Sequence, residues 1–129
     1  MARFTSINCS LPVRQDRCDL ASVEWSSGKL TAVFWTKEFL VKVTFEEVLS
    51  YRVMDEMIYS IYGERVDGVT REGFGYTVHD SAIFPNLNDL SRHGWRNLRH
   101  YAFMSLNNFL DVLCNKEPSF EIIAHANPR

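Results

Sequence analysis

The feature that most constrains this fold is the alternation of apolar and polar residues across residues 20–54. Such a period of two is typical of strands that bury one face and expose the other. The alternation divides the segment into four predicted strands, at residues 21–26, 30–35, 39–46 and 49–54. Because the links between them are too short for a parallel crossover, we predict an antiparallel meander.

The pattern changes after Met54. Asp55 is a good helix cap, and Ile58, Ile61 and Tyr62 share one helical face, which predicts a short helix that ends at Gly63. Residues 63–75 are rich in glycine and charge and are predicted to be a loop. A second short helix is predicted to begin near Pro85 and to end before Gly94.

The remaining chain again favours strands, at residues 76–79, 98–105 and 120–124. The apolar run at residues 109–114 is compatible with either a strand or a short helix. We therefore expect an α+β fold in which a twisted antiparallel sheet is packed by one or two short helices. The sheet is either a meander rolled into a half-barrel or a two-layer arrangement, within one globular domain over residues 1–129.

Composition excludes several classes of protein. The chain of 129 residues is 46% hydrophobic, which is enough for one core without disulfides or a structural metal. Its formal net charge of −2 argues against a globally basic nucleic-acid binder. No apolar run is long enough to span a bilayer, and the first residues lack the apolar region of a secretion signal. The odd, sparse set of Cys9, Cys18 and Cys114 favours a reducing compartment, so we expect a cytoplasmic protein.

Charge is distributed unevenly along the chain. Residues 91–101 hold three Arg, two His and no acidic residue, with aromatic rings between them, whereas residues 38–56 hold five acidic residues against two basic ones. The simplest interpretation is that the two segments pair with each other, within the fold or across a homodimer. A protein partner ranks second, because Trp, Tyr and Arg are enriched at binding hot spots, and nucleic acid ranks third. The predicted partner-binding residues are Arg92, Trp95, Arg96, Arg99 and Tyr101.

Each group of residues that could indicate catalysis is explained better by a structural role. A polar pocket is conceivable from Arg52, Asp55 and Glu56 with His79 and His100, but acidic residues in a first helical turn are expected as caps. A cysteine–histidine pair has no local signature, and the histidines lack the spacing of a zinc site. We therefore assign no catalytic residue, metal or cofactor from the sequence.

Two segments carry a resemblance to a family. Residues 45–56, FEEVLSYRVMDE, are similar to a pattern that recurs in small bacterial proteins. The second segment is the run from His100 to Phe103, followed by Asn108, Asp111-Val112-Leu113 and Pro118, and it is similar to a pattern in the same proteins. Some of these proteins resemble immunity proteins of bacterial toxin systems, such as contact-dependent inhibition. The resemblance implies a cytoplasmic protein that binds and blocks one cognate toxin, and it implies no catalytic residues. The alternatives are a small enzyme or ligand-binding domain using the Arg52 pocket, and a nucleic-acid binder using residues 91–101.

Overall fold

The computed structural model describes residues 3–7, 13, 18–55, 73–79 and 98–125. These residues form nine strands and, in the described ranges, no helix. The strands are β1 (Arg3–Ser6), β2 (Cys18–Ser26), β3 (Lys29–Thr36), β4 (Phe39–Phe45), β5 (Val48–Asp55), β6 (Gly75–His79), β7 (Arg99–Met104), β8 (Asn108–Cys114) and β9 (Ser119–His125).

The strands build two antiparallel sheets. The five-stranded sheet has the order β1-β6-β7-β8-β5, and the four-stranded sheet has the order β2-β3-β4-β9. The chain changes sheets three times: between β1 and β2, at the β4–β5 link and at the β8–β9 link. Since β4 pairs with β9 and β5 pairs with β8, the last two crossings lie next to each other.

The predicted α+β class is wrong for the part of the chain that the structure describes, which is all-β. The predicted strands are present, but only β2, β3 and β4 form the expected meander, because β5 belongs to the other sheet. Residues 109–114 are strand, within β8. Both predicted helices fall on residues 56–62 and 85–93, and the predicted loop falls mostly on residues 63–72, all outside the described ranges.

Turn chemistry explains the first hairpin and the β4–β5 crossing. Ser27 and Gly28 both have positive φ (49° and 79°), as a two-residue type I′ turn between β2 and β3 requires. At the β4–β5 link Glu47 also has positive φ (52°). The following Val48 donates its backbone N–H to the Gly28 carbonyl at 2.8 Å, which ties the crossing to the hairpin turn.

The core between the sheets is built around aromatic rings. Phe103 of β7 lies 5.3 Å from Phe45 and 5.2 Å from Phe74, centroid to centroid, in edge-to-face geometry. It also contacts Phe34 at 6.1 Å and Phe120 at 5.9 Å. Since these rings come from both sheets, Phe103 is a central contact of the sandwich, and such pairs add about 0.5–1.5 kcal/mol each beyond their buried area.

The five-stranded sheet is buried on its second face as well. A smaller apolar cluster there contains Phe4, Tyr76, Val78, Ala102, Met104 and Phe109. As a result β7 and β8 are almost continuously buried along their length. Two buried faces account for the mostly apolar sequences of β7 and β8, which lack the alternation of a half-buried strand.

Irregular pairing is concentrated at the sheet edges. Strands β2, β5 and β9 are edge strands, and each has a β-bulge, one residue more than the strand it pairs with. The extra residues are Ala21 in β2, Leu49 in β5 and Ile123 in β9. The remaining edge strand, β1, has only four residues. Bulges and short strands interrupt the row of free backbone groups, and this protects an edge from pairing with another chain.

Candidate functional site

A cleft opens at one end of the sandwich, between the inner face of β6 and β7 and the β8–β9 link. Its volume is about 540 Å³, within the range of small-molecule sites. We call it the Arg99 cleft. Its described lining residues are Ile7, Thr77, Arg99, Tyr101, Glu117, Pro118 and Phe120.

The Arg99 cleft contains two opposite charges. Arg99 and Glu117 are both exposed. Among the described residues neither forms an ion pair, with the other or with a third group. Burial raises the pKa of the nearby Tyr101 phenol to about 12, with Cys114 and Glu117 acting in the same direction and Arg99 against them. Tyr101 therefore stays protonated at neutral pH and can donate a hydrogen bond.

A second polar group, the Asp111 network, lies on the opposite face of the five-stranded sheet. His100 Nε2 donates to Asp111 Oδ1 at 2.7 Å, and Arg52 Nη2 donates to Asp111 Oδ2 at 3.3 Å. Adjacent strands produce this arrangement: Arg52 of β5 lies opposite Asp111 of β8, and His100 reaches it from β7. Arg52 Nε is buried and has no hydrogen-bond partner among the described residues.

The Asp111 network is closed to substrates. His100 and Asp111 are each 1% exposed in their side chains, whereas Arg52 is 39% exposed. A catalytic carboxylate or imidazole must reach the atom with which it exchanges a proton, and these two groups reach each other instead. The arrangement therefore satisfies a buried carboxylate and orients the strands around it.

Exposed aromatic side chains mark a third feature. Trp25 of β2 and Tyr51 of β5 stack across the boundary between the two sheets, with ring centroids 5.5 Å apart and planes at 22°. Both remain exposed, at 43% and 40%, and Val53, on the same side of β5 as Tyr51, is 42% exposed. We call Trp25, Tyr51 and Val53 the aromatic seam. Trp35 is exposed to a similar extent, at 48%, but lies on the outer face of the four-stranded sheet.

Of the five residues predicted to bind a partner, the structure describes two. Arg99 and Tyr101 lie together in the Arg99 cleft, where Tyr101 is 3% exposed and forms part of the wall. A ring buried to that extent offers no face on which a nucleic-acid base can stack. Arg92, Trp95 and Arg96 lie outside the described residues.

The residues of the alternative pocket are only partly brought together. Arg52 and His100 meet at Asp111, as described above. His79 points to the other face of the sheet, since it follows Val78, which pairs with His100, and it shares a hydrogen bond with Thr5 at 3.1 Å. Asp55 is exposed at the end of β5, and Glu56 lies outside the described residues.

Neither of the two described cysteines, Cys18 and Cys114, shows the features of a nucleophile. Both are buried and form no disulfide. Burial raises the pKa of the Cys114 thiol to about 12, so it is protonated at neutral pH and unreactive. Within the described ranges, no three His, Cys, Asp or Glu side chains are placed to hold a metal ion.

Several residues of these sites were not singled out by the sequence reasoning. Asp111 did have a signal, because it is a lone carboxylate inside the apolar run of residues 109–114. A buried charge needs a partner, so such a residue predicts a buried ion pair or a site. Glu117 and Tyr51 had no such signal, because their positions depend on which strands become neighbours.

Comparison with known proteins assigns this chain to no family. No family model matches it, and no curated protein or solved structure is significantly similar to it. In the part of the chain described here, no helix has the length and apolar character needed to cross a membrane.

Proposed function

We propose that this protein acts by binding another protein, as an immunity-like inhibitor that covers a cognate toxin, and that the aromatic seam is the centre of the contact. The observation that carries the proposal is the stacked, exposed pair of Trp25 and Tyr51, with Val53 beside it. Trp and Tyr are the residues most enriched at binding hot spots, because they bury large areas at low cost in side-chain entropy.

The seam is organised before any partner arrives. Trp25 and Tyr51 come from different sheets, and their stacking fixes both rings on regular strands. A partner therefore does not have to order them, and this lowers the entropic cost of association.

The edge strands favour a partner that contacts their side chains over a partner that adds a strand to the sheet. Strand addition needs a continuous edge of free backbone groups, and β2 and β5 are each interrupted by a bulge. The backbone of β2 is further occupied near its start: Asn107 bonds the Leu20 N–H and carbonyl at 3.0 and 3.3 Å. A partner at this edge would bind through the seam's side chains.

A cytoplasmic site of action belongs to the same proposal. The buried thiols of Cys18 and Cys114, which form no disulfide, suit a reducing compartment, where a toxin that has entered the cell would be neutralised.

The test is co-expression with a toxin encoded beside the gene, with cell growth and the dissociation constant of the purified complex as measurements. Trp25→Ala should remove protection and weaken binding by about 30-fold or more, as the loss of a hot spot of about 2 kcal/mol requires. Val53→Arg places a long charged side chain in the seam and should have a similar effect.

Trp35→Ala is the matched control. It removes the same type of side chain, at similar exposure (48% against 43%), from a different face, so binding and protection should stay at the wild-type level. Unfolding curves for all three variants separate lost binding from lost folding. Full protection by folded Trp25→Ala and Val53→Arg variants would refute the seam as the contact, and the lack of any complex with the neighbouring toxin would refute the proposed function.

A further inference from the structure

The Arg99 cleft holds a guanidinium and a carboxylate that face a common space without neutralising each other. Two exposed opposite charges gain little free energy from forming an ion pair, so the lack of an ion pair between Arg99 and Glu117 is not by itself evidence of a site. Here, however, both line one concave site of about 540 Å³ together with a phenol. A concave site with a few convergent polar groups is the usual form of a ligand pocket.

Each lining group has a definite preference. Arg99 offers a planar set of donors that matches a carboxylate in two parallel hydrogen bonds. Glu117 accepts hydrogen bonds and favours an ammonium group. Tyr101, protonated at neutral pH, can add one donor to an anion near Arg99. Ile7, Pro118 and Phe120 supply an apolar surface in the same cleft.

We propose that the Arg99 cleft binds a dipolar ligand, in which a carboxylate and an ammonium group are separated by an apolar body. Arg99 holds the carboxylate, Glu117 holds the ammonium group, and the apolar body lies on Phe120 and Pro118. Such chemistry occurs in free amino acids and in peptide segments with one acidic and one basic side chain. The site shares no residue with the aromatic seam, so this inference stands independently of the proposed function.

The experiment is an NMR titration of the full chain, in which backbone amide shifts near the cleft report binding. The first probe is 6-aminohexanoate, a small zwitterion with an apolar chain. The second is a capped peptide with one aspartate and one lysine three positions apart. Hexanoate and hexylammonium, which each carry one of the two charges, are the control ligands.

We expect saturable shifts at the cleft, with a dissociation constant on the order of 1 mM for one of the two dipolar probes. Each single-charge control should bind about tenfold more weakly than that probe, since one charge-assisted contact is lost. Tighter binding of the peptide identifies a peptide segment as the ligand, and tighter binding of 6-aminohexanoate identifies a free small zwitterion.

Variants test the two charges separately. Arg99→Gln and Glu117→Gln should each weaken the dipolar probe by about tenfold, and the double charge exchange Arg99→Glu with Glu117→Arg should bind it again in the reverse orientation. Glu47→Gln removes an exposed carboxylate that does not line the cleft and should leave binding unchanged. The proposal is overturned if neither dipolar probe shifts the cleft amides, or if hexanoate binds as tightly as the zwitterion, which would mean a simple anion site.

Discussion

Replacement of Asp111 by Asn tests the buried network with almost no change in volume. The carboxylate is fully buried and accepts hydrogen bonds from His100 at 2.7 Å and from Arg52 at 3.3 Å. Hydrogen bonds to a charged group contribute about 1.5–3 kcal/mol, roughly twice the value of neutral ones. The amide of Asn keeps one acceptor for His100 but turns a donor toward Arg52.

The magnitude follows from the two contacts. The His100 bond becomes neutral and loses about 1 kcal/mol, and the Arg52 side becomes a donor facing a donor, which costs about 1–2 kcal/mol for a group that is 39% exposed and partly solvated. We expect Asp111→Asn to lower the free energy of unfolding by about 2–3 kcal/mol. With a urea m-value of about 1.5–2 kcal/mol/M, the midpoint should fall by roughly 1–2 M.

The assay is equilibrium unfolding in urea, followed by fluorescence and by circular dichroism. Glu121→Gln provides the matched control, because it also removes a carboxylate from an ion pair, with Lys42 at 3.4 Å, but at 62% exposure. That exposed pair should contribute about 0.5 kcal/mol or less. If the two variants lose the same stability, burial does not control the strength of the Asp111 network and the reasoning is refuted.

Three further outcomes follow from the core and its titratable groups. Gly75→Ala should lower stability by about 2 kcal/mol in the same urea assay, because a Cβ there would lie 2.5 Å from the ring of Phe103, and an unchanged midpoint would contradict the close contact. Iodoacetamide at pH 8 should leave Cys114 unmodified in the folded protein and modify it after unfolding, as judged by mass spectrometry; rapid labelling of the folded chain would show that the thiol is accessible. The free energy of unfolding should also fall as pH rises from about 9 to 12, since the pKa values of Cys114 and Tyr101 are raised to about 12 from ordinary values of 9.0 and 10.0. A raised pKa in the folded state gives stability that is complete below the unfolded value and lost above it, so urea midpoints constant across this range would disprove the shifts.

Local pattern predicted the strands well where one face is buried. The alternation in residues 39–45 became β4, whose residues are alternately buried and half-buried along its whole length. The turn at Ser27 and Gly28 has a local signal as well, because glycine accepts positive φ at no steric cost. Both depend on neighbours in the chain, which a sequence shows directly.

The predicted four-stranded meander was wrong at a point to which local pattern is insensitive. The β4–β5 link is as short as a hairpin turn, yet it carries the chain into the other sheet. No residue in the link predicts this change of sheet. In the same way the run at residues 109–114 is apolar except for Asp111, because a strand buried on both faces has no alternation to distinguish it from a short helix.

The candidate sites show the same division. The order of residues specifies which groups are present: a lone carboxylate in an apolar run, an arginine and tyrosine two residues apart, and aromatic residues at strand ends. Which of these groups meet depends on the folded chain, in which Asp111 lies beside Arg52 and His100, Trp25 stacks on Tyr51, and Arg99 and Glu117 face one cleft. The physical reason is that spacing along the chain sets the period of a strand, whereas contacts between strands depend on register and sheet order, and these are determined by the packing of the whole core.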